Sequence, residues 1–305
     1  MAGGGFMTLV VGATGLLGTE ICRRLATAGK SFRAMVRKTS DPAKKDTLKQ
    51  LGAELVEADL KDRASLDRAC QGVSAVITTP TAIGSRQEGD TFQTVDLDGQ
   101  KSLVDAARTA KVEHYVFVSV SGNLGKQGGN PLIDAKRAVE NHLRRSGLSH
   151  TILRPTFFTE IWLSPHLGFD FENAKATIYG SGKNKISYIS LHNVADFAVA
   201  ALSNPAARNA VIELGGPDTL SPLEVVRMFE KLSGRRFETQ FVPEEQLQAR
   251  KMAATNPVEQ TFADLMLSAA HDDSIDMSDT FTKFQVRPKS VHEYAEMVAS
   301  GKAGH

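Results

Sequence analysis

Gly12-Ala13-Thr14-Gly15-Leu16-Leu17-Gly18 follows directly on an apolar run with strand character, Phe6 to Val11, and leads into a segment of helical period. A strand, a glycine turn and a helix in that order predict a dinucleotide-binding loop. Glycine lacks Cβ, so the backbone can turn tightly against a pyrophosphate, and the following helix aims its free N–H groups and positive dipole end at that anion. Gly12, Thr14, Gly15, Leu16, Leu17 and Gly18 are therefore the first candidate cofactor contacts, with Gly18 in the first helical turn, where it lets helix and strand pack closely. A cofactor with a free ribose 2′-hydroxyl is held by Asp or Glu about 20 residues past such a loop. Here that slot reads Met35-Val36-Arg37-Lys38. A guanidinium grips a 2′-phosphate bidentately and stacks on adenine, whereas a carboxylate repels it, so Arg37 and Lys38 predict NADP(H) rather than NAD(H). The alternative is a solvated Arg-Lys pair closing a strand.

A second group of residues could move protons. Leu132, Val139 and Leu143 form an apolar stripe at helical spacing and Lys136 falls within it, while Arg137, Glu140, Asn141 and Arg144 share another face. A lysine on a buried stripe is destabilising unless a partner or a ligand compensates it. Partial burial also lowers its pKa toward the range useful for proton transfer near neutrality. Lys136 is accordingly a candidate for holding a nicotinamide ribose or for acid/base work, the alternative being a stem that snorkels from the helix edge. Ser119 and Ser121, in Val118-Ser119-Val120-Ser121-Gly122, end a predicted strand, and either could bond a substrate carbonyl or cap the turn before glycine. Pro155-Thr156-Phe157-Phe158 is placed at the nicotinamide end, its aromatics serving as pocket wall or core. His271-Asp272-Asp273 with Asp276 lacks the spacing of a helical histidine pair or a calcium loop and is read as a solvated loop with a helix cap. No metal site is predicted, His192 beside a helix start is read as structural, and no Gly-x-Ser-x-Gly elbow occurs.

The elements that must position these residues alternate from Phe6 to about Arg154. Strands are expected at Thr8–Val11, Phe32–Val36, Glu54–Glu57, Ala75–Thr78, Tyr115–Ser119 and His150–Leu153. Helices are expected at 16–28, 43–51, 63–70, 91–110 and 132–145. That alternation predicts an α/β fold, a Rossmann-type doubly wound parallel sheet with helices on both faces. After Arg154 the pattern is broken by Pro155, Pro165, Gly180 and Gly182, and aromatics cluster at Phe157, Phe158, Trp162, Phe169 and Phe171, which reads as a change from cofactor scaffold to pocket. Helical patterns at 221–232, 244–254, 258–269 and 291–298, with a strand such as Phe237–Val242, suggest a smaller, mostly helical C-terminal substrate lobe. The expected division is 6–155 as the NADP-binding domain with 187–204 packing back on it, and 156–186 with 205–300 as the substrate-binding lobe.

Composition narrows the classes. At 305 residues with 41% hydrophobic content the chain can bury a sizeable core, which argues against disorder. A net charge of +1, from 36 basic and 35 acidic side chains, offers no general attraction to nucleic acid or an acidic membrane. Cys22 and Cys70 fall in predicted helices and read as small reduced core residues. Met1 to Gly5 lacks the positive start of a signal peptide and no apolar run reaches spanning length, so a cytoplasmic location is expected. The expected partner is a small-molecule substrate, with no nucleic acid and no membrane, for a monomer or homodimer.

In these residues the chain resembles the atypical short-chain dehydrogenase/reductases, and among them the NmrA-like and isoflavone-reductase-like group. The matching stretches are Gly12-x-x-Gly15-x-x-Gly18, Val36-Arg37, Ala58-Asp59-Leu60, Gly72-Val73-Ser74-Ala75-Val76-Ile77, Asp96-Leu97-Asp98-Gly99, Val116-Phe117-Val118-Ser119 and Leu153-Arg154-Pro155. The resemblance implies that Asp59, with Leu60 next to it, lies beside the adenine, unless Asp59 is a loop or helix cap. It also implies that Thr78, Thr79 and Pro80 pass along the cofactor. Relatives with standard chemistry carry Tyr-x-x-x-Lys, the tyrosine transferring the proton. Here the lysine position is Lys136 and the residue four earlier is Leu132, and no tyrosine occurs between Tyr115 and Tyr179. The resemblance therefore implies an NADP(H)-dependent reductase of a quinone, ketone, enone or imine that protonates through Lys136 or water. A non-catalytic NADP(H) sensor, or a lyase or cyclase using the cofactor without net turnover, are the alternatives.

Overall fold

The computed structural model describes residues 6–301 apart from 86, 127 and 128, so Met1 to Gly5 lie outside the described residues. The chain divides into two compact units. The first holds the residues through Val120, Leu132–Arg154 and Ala195–Ile212; the second holds Ser121–Pro131, Pro155–Val194 and the stretch from Glu213 onward.

In the first unit, strands β1 (Thr8–Val11), β2 (Phe32–Val36), β3 (Glu54–Glu57), β4 (Ala75–Thr78), β5 (His114–Val118) and β6 (His150–Pro155) alternate with helices α1 (Leu16–Thr27), α2 (Pro42–Gln50), α3 (Arg63–Cys70), α4 (Gln100–Thr109) and α5 (Pro131–Arg145). β7 (Phe169–Asp170) and β8 (Lys175–Tyr179) come next in the chain, followed by β9 (Ala210–Leu214) and β10 (Glu238–Val242). The main sheet runs β3-β2-β1-β4-β5-β6-β9, and the ladders from β3 to β6 are all parallel. β1, β4 and β5 are buried along their whole length, as expected of strands covered on both faces. This is the Rossmann-type sheet that the sequence predicts. Its strand order reverses between β1 and β4, with Thr8 paired to Phe32 on one side and to Ala75 on the other. Ligands of such sheets bind beyond the carboxyl ends of the strands at that switch.

Local chemistry sets the element boundaries. Asp41 caps α2 by accepting from the Ala43 N–H ahead of Pro42, and Asp62 caps α3 by accepting from Ala64 and Ser65. The helix expected over 91–110 is two elements: Phe92–Gly99 is a π-helix and only Gln100–Thr109 is α-helical. A periodicity of apolar residues does not separate the two, because both keep one face on the sheet. β5 ends at Val118, which leaves Ser119 as the first residue past the strand.

His114 on β5 is fully buried, with its ring nitrogens 3.2 Å from Ser149 Oγ and 2.9 Å from Thr151 Oγ1. Burial, with the charges of Arg208 and His150, pushes its pKa down to about 4 from 6.5. The unfolded chain therefore takes up a proton that the folded chain refuses as pH falls from 6.5 toward 4. Stability is expected to drop by up to about 3 kcal/mol across that window. Urea melts at both ends of the window should show this drop, and His114→Gln should flatten it; a wild-type curve that is flat there would contradict the assignment.

The second unit contains a three-stranded sheet, β10-β8-β7, with β10 parallel to β8 and β7 antiparallel to it. Phe169, one of the aromatics that the sequence places in a pocket, lies instead in the core of this sheet. Phe169 stacks edge-on against Phe229 with centroids 4.7 Å apart, and Phe237 lies 5.5 Å from Phe169, all three buried. Fully burying such rings is worth about 1.5–3 kcal/mol each, so they act as a hydrophobic core for the small sheet. Helices span Pro222–Ser233, Glu244–Ala253, Pro257–Ser268 and Val291–Ala299, near the expected places, and Ser278–Phe284 adds one not foreseen. The first opens on a reciprocal Ser221–Glu224 capping box and closes at Gly234 in the left-handed region. Among the described residues, no helix is long and apolar enough to cross a membrane.

Candidate functional site

The glycine turn sits at the switch point of the main sheet. Gly12 has φ +85°, and a Cβ there would stand 2.6 Å from Thr79 Oγ1 and 3.1 Å from Pro80 Cδ, so the chain ends of β1 and β4 touch. At Gly18 a Cβ would lie 2.0 Å from the Gly12 carbonyl oxygen. No side chain larger than hydrogen fits at that position without moving the turn. Gly15 precedes α1 with extended backbone and no side-chain cap, and the first turn of α1 carries no acidic residue. The helix thus presents its N–H groups and positive dipole end without a protein anion. Leu16, 73% exposed, stands at that end, whereas Leu17 turns into the core. Lys44 Nζ, from the first turn of α2, donates to the Thr14 carbonyl at 3.1 Å and adds a cation to the loop. The residues present fit a dinucleotide phosphate.

Arg37 lies just past β2, with its Nη1 donating to Asp90 Oδ2 at 2.6 Å. Asp90 also accepts from Ser85 Oγ at 2.7 Å and from Lys61 Nζ, and its side chain is 2% exposed. Burial alone would raise the Asp90 pKa; the bonds from Lys61, Ser85 and Arg37 outweigh it and hold the carboxyl below its ordinary range. Lys61 reaches Asp59 as well, at 3.5 Å, so Arg37 and Asp59 are joined through one charged cluster. Asp59 Oδ1 accepts from the Lys61 N–H at 2.9 Å, closing the turn after β3. Leu60 is buried in the sheet core, and Lys38 is exposed, its carbonyl accepting from Lys45 Nζ. Thr78 donates to Gln100 Oε1 inside the core, which leaves Thr79 and Pro80 as the residues of that stretch at the glycine turn.

Past β5, Lys136 Nζ lies 3.5 Å from the Val118 carbonyl oxygen and 5.3 Å from the centroid of the Phe117 ring. The residue is 4% exposed, in keeping with the stripe on which the sequence places it. Burial depresses the Lys136 pKa, outweighing attraction from Asp96 and Glu140. Ser119 Oγ is buried and donates to Glu140 Oε1 at 2.5 Å. Glu140 was expected on a polar face; it is 1% exposed because Arg137 Nη1 (2.6 Å), Arg154 Nη2 (2.5 Å) and Arg144 Nη2 (3.6 Å) close over it. Bonds from Arg154 and Ser119, with the charges of Arg137 and Arg154, overcome burial and keep its pKa below the ordinary value.

The NmrA-like family model matches residues 7–295. This chain belongs to the NmrA-like family. Photosystem II assembly factor Ycf39 of Trieres chinensis is 30% identical over 235 residues, covering 77% of this chain and 72% of that protein. An NAD(P)H azoreductase of Xenophilus azovorans is 31% identical over 233 residues, 75% of this chain and 74% of its own length. Among solved structures, an NADPH-dependent quinone oxidoreductase of Escherichia coli complexed with NADPH superposes with a TM-score of 0.75 at 23% identity, covering 96% of this chain and 99% of that one.

The remaining candidates of this NmrA-like chain lie in the second unit. Ser121 Oγ donates to Asp273 Oδ1 at 3.2 Å, Asn123 Nδ2 to the same oxygen at 2.7 Å, and Thr156 Oγ1 to Asp273 Oδ2. Asp273 was expected in a solvated loop; it is 2% exposed, because two strand-end loops each lend it a donor. Pro155 ends β6, Phe157 is buried edge-on against Trp162 at 4.5 Å, and Phe158 bridges to Ile189. Ser121 and Thr156 thus have hydroxyls committed within the protein, and Phe157 acts as core. Lys44, Lys61 and Asp90 escaped sequence reasoning, while Asp96 was singled out only within a resembling stretch and Asp273 only as part of a solvated loop.

Proposed function

We propose that this chain is an NADP(H)-dependent reductase of a small organic substrate such as a quinone, ketone, enone or imine, with Lys136 in place of the usual tyrosine. The observation that carries the proposal is a buried lysine ammonium at the end of β5, in the same unit as a glycine turn open to a phosphate. Gly12 to Gly18 would hold the pyrophosphate, Arg37 the 2′-phosphate, and Lys136 the nicotinamide ribose. When bound, NADPH supplies hydride. Lys136 would carry the proton that balances it, at Nζ.

Turnover is tested by following nicotinamide absorbance with NADPH and a panel of those substrates; oxidation of NADPH by at least one class is expected. Arg37→Ala should reduce the preference for NADPH over NADH by about ten- to a hundredfold, the worth of one charge-assisted hydrogen bond. Tighter binding of NADH by the intact protein would sink the 2′-phosphate assignment. A non-catalytic NADP(H)-binding role is the second reading, favoured by Leu132 at the tyrosine position and by the similarity to an assembly factor. No oxidation with any class, alongside tight NADPH binding, would favour it.

A further inference from the structure

We propose that Asp96 is a positioning residue that keeps Lys136 in its ammonium form at the end of β5. The inference rests on the assignment of Lys136 as the proton-bearing group and deepens it. Asp96 is fully buried, and its Oδ2 accepts from the Ala82 N–H at 2.8 Å. Its Oδ1 has no hydrogen-bond partner among the described residues and faces Lys136 Nζ at 3.7 Å. A structural ion pair would close to about 2.8 Å. Here both polar contacts of the ammonium are long, 3.5 Å to Val118 and 3.7 Å to Asp96, so its charge is compensated while its N–H groups remain available to a third group.

The element that delivers Asp96 is the π-helix Phe92–Gly99, and such turns are rare and concentrate at functional sites. It is fixed at both ends. Thr91 and Thr94 form a reciprocal capping box, and at Gly99 a Cβ would stand 2.7 Å from Leu60 Cβ and 2.8 Å from the Thr94 carbonyl oxygen. The charged groups facing Lys136 are Asp96, from the π-helix, and Glu140, one turn along α5, which is already engaged by Arg137 and Arg154. Asp96 is therefore the one whose free oxygen answers the ammonium. Burial raises the Asp96 pKa and lowers that of Lys136, and their mutual attraction opposes both shifts.

The test reads the protonation of Lys136 without cofactor or turnover. In protein labelled with 13C-lysine, the Cε resonance of Lys136, assigned by its loss in Lys136→Met, is titrated from about pH 5 to 11. Wild-type Lys136 should stay protonated through neutrality, and Asp96→Asn should lower the midpoint by about 1 to 3 pH units, the effect of removing one opposite charge at this range. An unmoved midpoint in Asp96→Asn overturns the proposal. So does a wild-type midpoint at about 5 to 6, the value of a buried lysine without a partner, and that measurement decides the matter even should Asp96→Asn not fold. If Lys136→Met retains turnover while the midpoint shifts as expected, the proposed reaction fails and the Asp96 pairing stands.

Discussion

Lys136→Met is expected to lower the turnover of NADPH-dependent reduction by about 10²- to 10⁴-fold, the span typical of losing a positioned proton donor. Methionine keeps the length and bulk of the buried stem, so the packing of the apolar stripe of α5, Leu132, Val139 and Leu143, should survive. Asp96 loses its partner in this variant and is left as a buried acid whose pKa burial raises. Breaking a buried pair by removing one partner costs about 3–5 kcal/mol, so kcat is compared on protein that its melting curve shows to be folded. Steady-state kinetics beside a melting curve make the comparison. Turnover equal to that of the wild type would remove Lys136 from the mechanism and leave protonation to water.

The second large effect concerns stability. Glu140→Ala is expected to destabilise the fold by about 3–5 kcal/mol, because it strips the shared carboxylate from beneath partly buried arginines and leaves Ser119 without its acceptor. Glu140→Gln should cost less, since the amide oxygen can still accept from Ser119 or Arg154. Urea unfolding of the three proteins measures both. A loss below about 1 kcal/mol for the alanine variant would mean that the cluster behaves like an exposed ion-pair network. Arg137 also donates to the Val120 carbonyl and Arg154 brings β6 to the Glu140 carboxylate on α5, so such a loss of stability should also loosen the end of β5, beside which the Lys136 ammonium lies.

What the sequence made legible was mostly local. The strand, glycine turn and helix from Thr8 to Thr27 rest on contiguous residues, as does the placement of Lys136 on a buried stripe, and both reappear in the structure. What stayed hidden was the pairing of polar groups far apart in the chain. Glu140 looked like a surface residue because its helical neighbours are charged; Arg154, which seals it, arrives from another strand. Asp96 sat in a recognisable stretch, yet nothing in a periodicity distinguishes a π-turn from an α-turn, and its partner lies 40 positions away. Phe169 was misplaced for a related reason: it needed Phe229 and Phe237, residues from beyond the next stretch of chain, before it could be read as core.

Asp273 also dictates an order of events during synthesis. Its carboxylate fastens Ser121 from 152 residues away, Asn123 from 150 and Thr156 from 117. The nascent chain therefore completes β5 and β6 long before the residue that ties down the loops following them has left the ribosome. The parallel sheet can collect its strands as they emerge, but those loops wait for a contact of very high sequence separation, the kind that closes slowly. The loops that follow β5 and β6 are therefore expected to order later than the strands that precede them.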